Sequence, residues 1–228
     1  MMSEFEIEAL KLSLQVALAA VGFSLPIAVF TAWLLARKEF AGKSLVDGFV
    51  HLPLILPPVV VGYVLLVGLG RNGIVGGFLH DVFGITIAFT WKGAAVAAAV
   101  MAFPLMVRAI RLSLESVDQG LEQAARTLGA SPLRVFATVT LPLASPGILT
   151  GAILGFARSL GEFGATITFV SNIPGETRTL PIALYTLTQI PGGEAGAFRL
   201  VVISVLVAFA ALLASELLAR RLKAKLGG

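Results

Sequence analysis

Five apolar stretches, each close to the ~20 residues that a helix needs to cross a bilayer, constrain this chain more than any other feature. They cover about 10–36, 50–69, 87–107, 139–163 and 199–218. Hydrocarbon offers no partner for a backbone N–H or C=O, so such stretches must be helices that satisfy their own hydrogen bonds. The expected fold is therefore all-α: a polytopic membrane helix bundle of five transmembrane helices, in one transmembrane domain over residues 1–228. Composition agrees, with 57% hydrophobic and only 13% charged residues, about half the charge of a soluble domain. The mean hydropathy is +0.93. The run Leu52-Pro53-Leu54-Ile55-Leu56-Pro57-Pro58 is expected at the opening of the second span, where proline is tolerated, and Pro104 near the end of the third. The segment 180–190 is apolar but too short to cross, and reads as a re-entrant or interfacial helix.

Several classes of function are excluded by what the chain carries. It has no cysteine, hence no disulfide, thiolate metal site or thiol nucleophile. His51 and His80 are too isolated for a zinc site. The net charge of +4 does not point to nucleic acid, because the basic residues sit between and after apolar blocks. With the N-terminus outside, the inner segments hold Arg37, Lys38, Lys43, Arg108, Arg111, Arg126, Arg134, Arg220, Arg221, Lys223 and Lys225, which is 11 of the 17 basic residues. A sixth crossing at 180–190 would place the basic C-terminus outside. The charge pattern thus favours five spans, N-terminus out and C-terminus in. Residues 1–8 are acidic and lack the basic start of a cleavable signal. Trp33 and Trp91 suit interfacial anchors.

The loop at 116–134 reads as a short helix, a sharp stop and a new helix. Ser116 or Asp118 can cap the first helix, and Gly129 can supply its left-handed end. Ser131 and Pro132 form a second N-cap and first-turn pair. Leu121 to Arg126 are good helix formers, and Ala124 with Ala125 leaves a small flat face. Such a helix either lies on lipid or presents a fixed surface to the groove of another protein.

The run Glu122-Gln123-Ala124-Ala125-Arg126-Thr127-Leu128-Gly129, then nine residues, then Val139-Thr140-Leu141-Pro142, resembles the cytoplasmic "EAA" loop of binding-protein-dependent ABC importer permeases. Gln123 stands where that pattern has Glu, and Val139 where it has Ile. Arg158-Ser159-Leu160-Gly161-Glu162-Phe163-Gly164-Ala165, Ser171 through Pro181 and Leu52 through Tyr63 are similar to the molybdate permease subunits of that superfamily. The resemblance runs from about residue 10 to 222. Sulfate permeases share the Arg-Ser-Leu-Gly-Glu-Phe-Gly stretch, so molybdate is favoured among molybdate, tungstate and sulfate without being singled out. The resemblance implies a type I ABC importer permease in a bacterial cytoplasmic (inner) membrane. Its partners would be a second copy of itself, two cytoplasmic ATPase subunits and a periplasmic molybdate-binding protein. It also implies that this chain binds no cofactor, ATP and magnesium being held by the ATPases. The loop helix would be the coupling helix, with Glu122, Gln123, Ala124, Ala125, Arg126, Gly129, Pro132, Leu141 and Pro142 as the ATPase-coupling residues.

The fourth span adds two further features. Gly147, Gly151, Gly155 and Ser159 recur every four residues, a ridge that lets another helix approach closely. That helix could belong to the same chain, to a partner subunit or to the pathway wall. Arg158 and Glu162 lie one turn apart toward the end of the span and can pair. Ionisable groups there face protein or water. Together with Ser159 they form either a structural ion pair at a gate or a transient site for a passing oxyanion, which must bind weakly enough to leave. The polar stretch 166–179 reads as an external loop, plain or in contact with a binding protein. Ala41-Gly42-Lys43-Ser44 does not make a phosphate loop, because Arg37 stands where its first glycine is needed. A secondary transporter or channel for a small anion is the competing class. Glu162 is the one good candidate for a buried coupling carboxylate, and nothing assembles the cluster a membrane enzyme needs.

Overall fold

The computed structural model describes residues 3–226, with side chains in the last helix described through residue 211 and at 213, 214 and 217. Among the described residues every regular element is helical. The basic residues Arg220, Arg221, Lys223 and Lys225 lie outside the described side chains.

Helix α1 (Glu4–Arg37) starts in a capping box: Glu6 N–H donates to Ser3 Oγ, and Ser3 N–H donates to the Glu6 carboxylate. Helices α2 (Lys43–Ile55) and α3 (Pro58–Leu69) follow, bent by 115° between them. This corrects the expectation of one span over 50–69 opened by prolines. Pro57 and Pro58 have no N–H to continue α2, and Pro58 instead begins α3 at its first turn. At 12 residues, or about 18 Å, α3 alone is too short to cross. Helix α4 (Ile74–Phe83) stops at Gly84, whose φ of +67° only glycine adopts without strain.

Helix α5 (Trp91–Glu115) is capped by Thr90 and carries Pro104 in its interior, not near its end. It runs eight residues past the expected boundary at 107, so Arg108 and Arg111 ride on a helix. After it come α6 (Gln119–Thr127), α7 (Pro132–Val135), a single π turn (Phe136–Thr140) and α8 (Leu141–Leu160). The π turn precedes Pro142, whose ring crowds the carbonyl of Thr138 and forces the ladder to widen there. Helices α9 (Gly164–Val170), α10 (Leu180–Thr188) and α11 (Glu194–Leu226) complete the chain. At nine residues, about 14 Å, α10 cannot cross.

Among the described residues, four helical units are long and apolar enough to span a bilayer: α1, α5, the α7–α8 run and α11. The bent α2–α3 pair makes a fifth only as a broken span. Helix α5 is the centre of the bundle. One half packs Ala94, Ala95, Ala97, Ala98 and Met101 against α1, α3 and α9, and the other packs Met106, Val107, Ile110 and Leu114 against α1 and α8. A smaller cluster joins α1, α10 and α11 through Ala9, Leu180, Ala183 and Leu200. The alanine face of α5 lets backbones come close, which is how helices gain dispersion contact where lipid already removes the hydrophobic drive. Phe23, Phe49, Val64, Phe198 and Phe209 point outward, as suits a hydrocarbon surround.

Candidate functional site

The loop helix α6 begins where Gly120 N–H donates to Asp118 Oδ1 at 2.7 Å, so Asp118 is the cap. It ends at Gly129, with φ +85° and its N–H donating to the Arg126 carbonyl at 2.9 Å. Ser131 then accepts from Arg134 N–H, with Pro132 at the first position of α7. The sequence signals of stop and restart thus correspond to real turns.

Glu122 points into the protein and is the one buried residue of α6. Its Oε1 accepts from Arg37 Nη2 at 2.9 Å and from Thr140 Oγ1 at 2.9 Å. The same Arg37 nitrogen donates to the Val117 carbonyl at 3.1 Å. Glu122 therefore shapes the helix from inside and does not offer its carboxylate outward. Gln123, Ala124 and Arg126 are exposed and Ala125 is half-buried. Leu128 and Leu133, 88% and 78% exposed, add large apolar points that the small-residue reading of the loop had missed. Pro132 is exposed beside them, while Leu141 and Pro142 are half-buried at the start of α8. Arg37 and Thr140 were not visible as part of this site. Arg37 reads in sequence only as a span-ending charge, since its partner lies 85 positions away.

The glycine ridge of α8 packs on α5 of the same chain. A Cβ on Gly147 would lie within 2.0 Å of Ser113 Cβ, on Gly151 within 2.9 Å of Ile110 Cγ1, and on Gly155 within 2.6 Å of Met106 Sδ. Ser159 continues this buried face, its hydroxyl without a hydrogen-bond partner among the described residues.

Arg158 Nη1 meets Glu162 Oε2 at 2.6 Å. Glu162 is 3% exposed, and its other oxygen accepts from Ala165 N–H at 2.8 Å, which satisfies one of the free N–H groups in the first turn of α9. The pair sits deeper than expected. Gly155 lies beside Met106. From there α8 continues only five residues, about 8 Å, to Leu160, whereas α5 continues fifteen, about 22 Å, to Trp91. The end of α8 is therefore inside the bundle, and α9 carries the chain onward to the Trp91 end, where Val170 faces Gly93. Gly164 at this break abuts Pro58 at the α2–α3 break. Two interrupted helices thus meet beside one ion pair, an arrangement that transport proteins place at translocation sites because irregular backbone is tolerated only against protein or water.

The stretch 166–179 is not a plain surface loop, a further correction. Thr166, Phe169 and Val170 are buried in α9. Beyond them Arg178 donates to Asn172 at 2.7 Å and stacks its guanidinium on Phe5, Asn172 donates to Thr186, and the buried Thr177 hydroxyl ties Ile173 to Ser171. Only Ser171 and Pro174 to Glu176 are exposed.

These features define a class: a helical membrane pathway subunit with an interrupted span at its centre and a capped helix at one face. The chain belongs to the family of binding-protein-dependent transport system inner membrane components, whose model matches residues 9–224. It is 66% identical over 215 residues to the molybdenum transport system permease protein ModB of Escherichia coli strain K12, covering 94% of each chain. It is 60% identical over 222 residues to ModB of Haemophilus influenzae, covering 97% of each. Among solved structures, it superposes with a TM-score of 0.75 on a chain of the inward-facing MetNI methionine ABC transporter, at 19% identity, covering 97% of this chain and 99% of that one.

Proposed function

We propose that this chain, paired with a second copy, forms the membrane pathway of an ATP-driven importer that carries molybdate into the cytoplasm. The observation that carries the reading is the 60–66% identity, over nearly the full chain, to molybdenum transport permeases. Two cytoplasmic ATPase subunits would hold ATP and magnesium, and a periplasmic molybdate-binding protein would deliver the anion. The N-terminus lies outside and the C-terminus inside. In support, Arg37 at the end of α1 touches Glu122 of α6, so the end of α1 and the loop helix lie at one face with the basic residues Lys38, Lys43, Arg126 and Arg134 near them in sequence.

In this reading α6, with Gln123 and Ala124 outward and the exposed Leu128 and Leu133 just beyond it, docks in a groove of the ATPase. The test is co-purification of the wild type and a Glu122→Ala/Gly129→Pro variant with the ATPase, followed by ATP-dependent molybdate uptake in vesicles. Proline cannot adopt φ +85° and loses the N–H that closes the helix. The wild type is expected to retain the ATPase and the variant to lose it. Uptake by the wild type without any ATPase would instead establish a secondary transporter or channel.

Arg158, 28% exposed on its side chain and steadied by Glu162, gives a passing oxyanion a transient positive contact at the helix break. Losing one charge-assisted hydrogen bond of about 1.5 kcal/mol lowers a rate roughly tenfold. Arg158→Gln is accordingly expected to slow molybdate uptake by about that factor, measured as initial rate in the same vesicles. An unchanged rate and unchanged preference over sulfate would remove Arg158 from the pathway.

A further inference from the structure

We infer that Arg37, Glu122 and Thr140 form a clutch that converts movement of α6 into movement of α1 and α8 together. The inference rests on the reading above that an ATPase drives α6. Glu122 is the one residue of α6 buried in the protein, and its carboxylate is the side chain that ties this helix to α1 and to the start of α8. A single carboxylate oxygen, Oε1, takes both bonds: one from Arg37 at the last turn of α1, one from Thr140 at the end of the π turn. Arg37 also holds Val117, just before α6, so the helix cannot pivot about its own start without breaking the same guanidinium contact. The Arg37 and Glu122 side chains are only 9% and 11% exposed, where water screens the bonds little.

The two receiving helices lead to the pathway. Helix α1 lies along α5 at the centre of the bundle. Helix α8 begins one residue after Thr140, locks its glycine ridge on α5, and ends about 30 Å away at Arg158 and the α8–α9 break. Between α6 and α8 stands the π turn, a loosened stretch of ladder that could absorb a push. The Thr140–Glu122 bond bypasses it by joining α6 to the far side of that turn. Arg37, Glu122 and Thr140 thus act as positioning residues, which fix how far a displacement at the cytoplasmic face reaches the gate.

The test uses the complete transporter with its ATPase and binding protein, reconstituted in vesicles, comparing wild type, Thr140→Val and Thr140→Ser. Valine keeps the shape and removes the hydroxyl, and serine keeps the hydroxyl. The readout is molybdate imported per ATP hydrolysed, which a merely structural role would not move. Thr140→Val is expected to retain the ATPase and hydrolyse ATP, while import per ATP falls at least about fivefold, the low end of typical coupling between sites. Thr140→Ser is expected to keep the wild-type ratio. An unchanged ratio in Thr140→Val overturns the clutch. So does loss of the ATPase from that variant, which would make the cluster only a shaper of the docking face, and so does a serine variant as impaired as valine. Failure of the wild type itself to hold an ATPase would instead strike the importer reading.

Discussion

Gly147→Leu is expected to eliminate folded protein from the membrane. A Cβ at this position would stand 2.0 Å from Ser113 Cβ, 2.6 Å from its Oγ and 3.2 Å from the Ala109 carbonyl. The Ser113 Cβ cannot rotate away, because it is fixed to the α5 backbone, so α8 and α5 must separate. Overpacking a tight core costs about 1–3 kcal/mol when neighbours can yield. Here the ridge that would lift includes Gly151 and Gly155, so the loss extends along about two turns of the contact at the centre of the bundle. Gly147→Ala should already lower the thermal midpoint in detergent. Gly22→Ala, on α1 with no atom within 4 Å of the added carbon, should leave it unchanged or slightly raised, since alanine favours helix over glycine by about 1 kcal/mol. Size-exclusion yield of the three variants checks the ordering. A monodisperse Gly147→Leu protein at wild-type yield would contradict the packing described here.

Arg158→Gln is expected to destabilise the bundle more than Glu162→Ala does, although the two residues are partners in one ion pair. The reason is their unequal burial. Glu162 is 3% exposed and serves two donors, Arg158 and the N–H of Ala165, whereas the Arg158 side chain keeps 28% of its surface open. Removing Glu162 leaves a guanidinium that still reaches water and an unpaired Ala165 N–H in the first turn of α9, for a combined loss of roughly 1–2 kcal/mol. Removing Arg158 leaves a buried carboxylate with no counter-charge and only the Ala165 N–H as partner, a loss of roughly 3 kcal/mol or more. An Arg158→Gln/Glu162→Ala double variant should therefore be more stable than Arg158→Gln alone, which is the sign of coupling between neighbours. Thermal midpoints of the four proteins in one detergent form the cycle. Additive shifts would mean that the pair does not act as a unit.

Much of the architecture was legible because membrane crossing leaves a long, one-dimensional mark. The apolar blocks at α1, α5, α8 and α11 are each tied to the ~30 Å of hydrocarbon they must traverse. Local chemistry was equally readable. Asp118, Gly129, Ser131 and Pro132 sit at the turns where their own side-chain reach or backbone angles require them. The second span shows where such reading stops. Its prolines announced a helix boundary, but whether the chain would enter there or bend by 115° depended on α9 and α5 being present to receive α3.

The sequence by itself determined that this chain is a helical membrane bundle, that a capped helix stands in its third loop, and that a close-packing ridge and an ion pair lie on one span. Those properties follow from hydropathy, capping and helical spacing, which act over a few residues. Only the tertiary structure decided that the ridge faces α5 of the same chain, that Glu162 lies inside the bundle beside a second helix break, and that Glu122 turns inward to Arg37 and Thr140. Each of these joins residues from different helices, 18 to 85 positions apart at the Glu122 cluster. No local preference encodes such pairings, because they arise only when the helices pack and a buried charge must find its partner.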